Sequence, residues 1–343
     1  MKSTLERTAM LLALAAGAFG LAAETAAPLK VCATVPDLGQ LAQEVGGEEV
    51  SVVVFARGVQ DPHFLEARPS FIKELSRADL FIAVGLELEQ GWAPNLVQGA
   101  RNARVLLGAA GYLDASSAIT PLDAPAGIVD RSLGDVHPFG NPHYLLDPLA
   151  GLQVARAIRN RLQQLRPERK DYFSSRFDDF SSRLGAALVG EKLAGLYDVE
   201  KLALLAERGK LIEFLRGEKQ ETLLGGWIGR LERTRGAPLV ADHNLWPYFA
   251  RRFGLRVVGS LEPKPGIAPT TRHLGDLAKL MKVEKVRAIL TVPYFNVRHA
   301  RVVAGETGSA ILEMAHQCGG RLGTDSYLAL IEHNVAEVER ALR

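Results

Sequence analysis

Apolar residues along the chain fall into two alternating arrangements, short runs that are apolar throughout and longer stretches with apolar positions three and four apart. Leu29 to Val35 is a run of the first kind, rich in β-branched residues, and Leu38 to Val45 follows at helical spacing up to Gly46-Gly47. The rhythm repeats with Val50 to Phe55 as a strand, the polar turn Asp61-Pro62-His63-Phe64, and a helix from Pro69 through Leu75. Leu80 to Val84 reads as a third strand and Val105-Leu106-Leu107 as a short fourth. Runs that are apolar on both faces predict parallel strands covered by helices on either side.

Between Ile119 and Gly140 the periodicity stops, and proline, aspartate and glycine dominate, which predicts a long loop. It ends in His137-Pro138-Phe139-Gly140-Asn141-Pro142-His143, a stiff stretch ahead of a helix from about Asp147 to Leu165. The next helix, from Pro167 to Val189, carries Phe173, Phe177, Phe180, Leu184 and Leu188 on one stripe and would be about 30 Å long. Leu193 to Leu231 is helical in character and suggests no chemistry of its own. Strand-helix alternation then resumes, with strands expected at Leu239 to Ala241, Arg256 to Val258, Arg287 to Val292 and Ala310 to Leu312, and a closing amphipathic helix from Tyr327 to Leu342. The expected fold is therefore α/β, two four-stranded βα sets flanking one long helix. The domains divide as 28–165, a linking helix 166–192, and 193–343 with a helical insertion at about 193–231.

Composition changes this picture at the N-terminus. Lys2 and Arg7 precede the charge-free apolar run Ala9 to Ala23, which is too short to span a bilayer, and Leu21-Ala22-Ala23 offers small residues for cleavage. Residues 1–23 are thus expected to be a cleavable signal peptide, and the mature protein a periplasmic one. A net charge of +2 over 343 residues, with no long block of either sign, gives no footprint for nucleic acid. The only cysteines, Cys32 and Cys318, fall in different halves, so two buried thiols are expected, with Cys318 a minor metal-ligand candidate.

The chemistry lies in the histidines. His63 follows the second strand, His143 the fourth, His243 the first strand of the second half, and His316 the last. Ligands of open parallel sheets bind just outside the carboxyl ends of the strands, so these four imidazoles are candidates to meet in a crevice between the halves. Four nitrogen donors suit Zn²⁺ best. His137 is a second-tier candidate, as a labile auxiliary ligand, a partner of a ligand, or a plain loop residue. Glu262 is another, as an acceptor for a ligating imidazole. His273, His299 and His333 are expected to face solvent.

Asp61-Pro62-His63 with Arg68-Pro69-Ser70, the block Asn141 to Pro148, His243 with Tyr248-Phe249 and Phe253-Gly254-Leu255, and Asp325-Ser326-Tyr327 with Asn334 together resemble the zinc- and manganese-specific substrate-binding proteins of ABC transporters. The resemblance runs from about Lys30 to the C-terminus. It implies two βα domains on a rigid backbone helix, with the metal held in the interdomain cleft. His63, His143 and His243 match the first three family ligands. At the fourth position, where many members have aspartate, His316 fits best, with Asp325 the fallback. The chain departs from the family in its insertion and in lacking a histidine-rich loop.

The function expected on these grounds is a monomeric periplasmic receptor that captures Zn²⁺, or another divalent transition metal such as Mn²⁺. It would hand the ion to a membrane permease, its only contact with the membrane, and catalyse nothing. The alternative is a secreted zinc hydrolase with an open coordination position and Glu262 as base. A third reading is a metal-independent receptor or adhesin of the same architecture.

Overall fold

The computed structural model describes residues 27–124, 137–263 and 267–343, so the expected signal peptide lies outside the described residues. Among the described residues, eight strands form two sheets. β1 (Leu29–Ala33), β2 (Val50–Val54), β3 (Leu80–Ala83) and β4 (Tyr112–Asp114) make the first. β5 (Pro238–Ala241), β6 (Arg256–Ser260), β7 (Ala288–Thr291) and β8 (Ala310–Glu313) make the second. Both are wholly parallel and share one order, β2-β1-β3-β4 and β6-β5-β7-β8. The unbroken apolar runs have their cause here, since every residue of the inner strands β3 and β7 is buried, whereas the edge strands are only partly so.

One expected strand sits elsewhere. Val105-Leu106-Leu107 is not β4; Ala103–Val105 is a turn of 3₁₀ helix, Leu107 is 82% exposed, and the fourth strand is Tyr112–Asp114. Three apolar residues hold too little pattern to separate a strand from a surface turn, and Phe81 and Ile82 of β3 pair instead with Tyr112 and Leu113.

The strand order reverses direction between β1 and β3, and likewise between β5 and β7. Each reversal is stitched by a buried carboxylate. Glu89 accepts from the Thr34 hydroxyl at 2.6 Å and from the backbone N–H groups of Val84 and Gly85 at 2.7 and 3.1 Å. Asp242 accepts from the N–H groups of His243 and Val292 at 2.8 and 2.7 Å. Burial raises both carboxyls, Asp242 to about 8.

The helix Lys170–Val189 buries the predicted stripe Phe173, Phe177, Phe180, Leu184 and Leu188 and packs against the helices Pro36–Gly46 and Pro148–Leu165. The insertion resolves into the helices Glu191–Leu196, Val199–Glu207, Leu211–Gly217 and Gly226–Leu231.

Contacts across the midline join the halves at the carboxyl ends of both sheets. The Gln317 amide donates to the Gln60 carbonyl at 2.8 Å, and the Tyr327 hydroxyl to the Leu145 carbonyl at 2.7 Å. Gly58 presses on the carbonyl of Cys318 so closely that a Cβ there would lie 2.2 Å from its oxygen. Cys32 and Cys318 are both buried thiols, as expected; Cys318 Sγ faces Asp37 at 3.6 Å.

Candidate metal centre

Turns rather than helices present the imidazoles, because each strand ends and its chain must reverse at the crevice. His63 is set by an Asx turn. Its N–H donates to Asp61 Oδ1 at 3.0 Å, and its ring Nδ1 donates to the same oxygen at 2.7 Å. With Nδ1 committed to the carboxylate, Nε2 is the atom left to coordinate, and it points at His137 Nε2, 3.1 Å away. His143 follows Asn141, whose side chain accepts from the His143 N–H at 2.9 Å and donates to the Asn244 carbonyl of the other half at 2.8 Å.

His316 comes from the far side. Its Nδ1 lies 2.6 Å from the Tyr294 hydroxyl, and its Nε2 lies 3.1 Å from His143 Nδ1. His243 packs against Phe295 with ring centroids 5.4 Å apart, and its charge bears on both His143 and His316. All four histidines expected from strand ends therefore reach one crevice, and His137 joins them. Coordinating atoms of His63, His137 and His143 lie within 4.8 Å of one another.

The spacing has chemical meaning. Two imidazole nitrogens bound to one tetrahedral Zn²⁺ at about 2.0–2.1 Å stand about 3.3 Å apart. The two 3.1 Å pairs come close to that edge length. A cavity of about 20 Å³ bordered by Val84, Pro142, His143, His316 and Gln317 has room for one water, not for an organic substrate.

Burial governs the electrostatics. It holds His143 well below the usual imidazole value, with repulsion from His316, His63, His137 and His243 adding to it. It likewise pulls His316 down to about 3, although the Asp61 charge opposes this. Neutral imidazoles are the form that binds metal. Burial also disfavours the Asp61 carboxylate, but the hydrogen bond and charge of His63 outweigh it and hold that carboxyl below its usual range.

Asp325 is exposed and lies beside Gly319, while the carboxylate that faces His316 is Asp61. Glu262 stands next to Asp242 at the end of β6, its N–H donating to the Asp242 carbonyl at 3.0 Å. His273 and His333 are half-buried rather than solvent-facing, each with Nε2 on a backbone carbonyl, Ser260 at 2.9 Å and Glu313 at 2.8 Å. Sequence reasoning missed two residues, Asp61 and Tyr294, that orient ligand candidates. Asp61 left a signal, since an acid two residues before a histidine, with proline between, makes this turn; Tyr294 left none. Asp61→Asn keeps the shape but weakens the hold on His63, and should lower the affinity for a divalent transition metal about 10- to 100-fold in a chelator competition assay.

The model of the family described as zinc-uptake complex component A, periplasmic (ZnuA), matches residues 31–189 and 221–341. The chain is 24% identical over 294 residues to the high-affinity zinc uptake system protein ZnuA of Yersinia pestis, covering 81% of this chain and 79% of that protein. It is 25% identical over 323 residues to the manganese ABC transporter substrate-binding lipoprotein PsaA of Streptococcus pneumoniae, covering 92% and 89%. A crystal structure of ZnuA superposes with a TM-score of 0.68 at 19% identity, covering 92% of this chain and 100% of that one, which establishes the shared fold.

Proposed function

The chain belongs to the ZnuA family of periplasmic zinc-uptake components, and from that premise we propose that it is an extracytoplasmic receptor for Zn²⁺ serving an ABC permease. The family is one of metal-transport receptors, not of enzymes, and the hydrolase alternative has no support in it. On this reading His63, His143, His243 and His316 hold the ion between the domains, 28–165 on one side and 193–343 on the other, with the helix of 166–192 as the fixed backbone. The observation that supports the ligand set is the meeting of histidines from both halves, His143 Nδ1 standing 3.1 Å from His316 Nε2 with the His63 ring 5.3 Å from that of His143. An all-nitrogen set favours Zn²⁺ over Mn²⁺, which prefers carboxylate and water oxygens. The mature protein acts as a monomer, released into the periplasm by cleavage of residues 1–23. Calorimetric titration of the mature protein with each ion tests this. High-affinity binding of one Zn²⁺ per chain with Mn²⁺ far weaker is expected, and tighter binding of Mn²⁺ would refute the choice of metal.

The buried imidazoles also set a pH dependence. In the unfolded chain a histidine protonates near 6.5, whereas His143 and His316 in the fold resist protonation, His316 to about 3. Between those values the unfolded state binds more protons, so stability is full above about 6.5 and declines as pH falls toward the folded value. Thermal denaturation of the metal-free protein should show Tm falling from pH 7 to pH 5, with a smaller fall in a His143→Gln/His316→Gln variant.

A further inference from the structure

Five imidazoles reach a crevice where a tetrahedral ion takes four. Their distribution is uneven. His137 is partly exposed, whereas the His63 side chain is 7% exposed and His143, His243 and His316 are 4, 7 and 7% exposed. The three whose coordinating atoms lie within 4.8 Å of one another, His63, His137 and His143, all belong to the N-terminal half. His243 and His316 come from the other half.

His137 has a defined place. The Gly140 N–H donates to the His137 carbonyl at 3.3 Å, closing a turn, and Gly140 has φ +114°. A Cβ on Gly140 would meet Pro121 at 2.6 Å. The next residue donates its N–H to the Leu122 carbonyl at 2.8 Å. Tyr248 of the C-terminal half clips the base of this turn, its hydroxyl accepting from the Leu122 N–H and donating to the Asn141 carbonyl, both at 2.8 Å. Closure of the halves and the position of His137 are therefore coupled.

We propose that the N-terminal half carries its own loading site for Zn²⁺, formed by His63, His137 and His143, and that closure exchanges His137 for His243 and His316. The inference rests on the receptor reading above. The ion enters beside His137, the partly exposed member of the three, and binds three imidazole nitrogens, with water in the fourth position. As the C-terminal half closes, metal–nitrogen bonds to His316 and His243 form while the bond to His137 and the water are lost. No electron is transferred, and the ion ends in the buried set. A site complete in one half lets capture precede closure, so that the ion need not find four ligands from two moving bodies at once.

The test is stopped-flow association of Zn²⁺ with the mature protein, together with Co²⁺ absorption as a reporter of coordination. His137→Ala should slow association about tenfold, so that its loss of affinity appears in the association rate. A His243→Ala/His316→Ala variant should still bind one Co²⁺ with a spectrum of weaker, water-containing coordination, and adding His137→Ala should abolish that binding. A loss carried by dissociation would make His137 a resident ligand and overturn the proposal. So would residual binding in the double variant that is indifferent to His137. Failure of the unaltered protein to bind Zn²⁺ would overturn the receptor reading itself, a result distinct from both.

Discussion

His143→Ala should weaken Zn²⁺ binding by roughly two to three orders of magnitude, the largest single-residue effect expected in this protein. The size follows from sharing out the ion's binding free energy. A closed zinc site of four ligands is worth about 10–16 kcal/mol at neutral pH, so one ligand carries roughly 3–4 kcal/mol, and each 1.4 kcal/mol is a factor of ten. His143 should lie at the upper end because it is the most buried of the candidates, at 4% exposure, and touches both sides of the crevice. Its ring stands 5.3 Å from that of His63 and 4.8 Å from that of His316. Competition with a chromophoric chelator measures the loss. His299→Ala, on the helix Val297–Thr307, serves as the control and should bind as tightly as the unaltered chain. If His143→Ala stayed within about threefold of the unaltered protein, the metal would have to lie elsewhere.

The parts of this site that were legible in the sequence are those that depend on strand ends. A run such as Leu80 to Val84, apolar on both faces, fits a covered parallel sheet, and that placement indicates where a following histidine emerges. His63, His143, His243 and His316 could be named on that basis. His137 could not be promoted by the same logic, because it lies six residues before His143 in a stretch with no periodicity, and only the turn closed on Gly140 brings it to His63. Tyr294 is less legible still, since its hydrogen bond to His316 spans 22 residues and depends on how β7 and β8 sit side by side. The fourth strand of the first sheet, Tyr112–Asp114, is hidden from the apolar pattern for a related reason. Leu106 and Leu107 form an apolar patch on the surface, and nothing local marks that they are exposed. The insertion is recognisable as helical from its leucines, but its contacts with Arg252, through the Ala203 carbonyl and Glu207, leave no trace in a pattern of apolar residues.

Arg252→Met should lower the Tm of the metal-free protein by roughly 5–15 °C, an effect on stability rather than on chemistry. Arg252 is 4% exposed and forks onto Asp147, Nε to Oδ1 at 2.7 Å and Nη2 to Oδ2 at 2.8 Å, while Nη1 donates to the Ala203 carbonyl of the insertion at 2.9 Å. Glu207, also of the insertion, stands 3.5 Å from the same guanidinium. Three segments thus meet at one buried cation: the start of the helix Pro148–Leu165 just after His143, the helix Pro247–Phe253 just after His243, and the helix Val199–Glu207. Removing one member of a buried ion pair costs about 3–5 kcal/mol, chiefly because the other charge is stranded. The stranded charge is what distinguishes a clamp from ordinary packing. Asp147→Asn keeps the cap on the Leu149 N–H, at 2.9 Å, while removing the charge, so Asp147→Asn/Arg252→Met should recover much of the lost stability. Zn²⁺ affinity should not recover with it, because neither neutral partner holds the segments after His143 and His243 in register. A double variant that regained affinity together with Tm would show the pair to be packing alone, with no part in aligning the ligands.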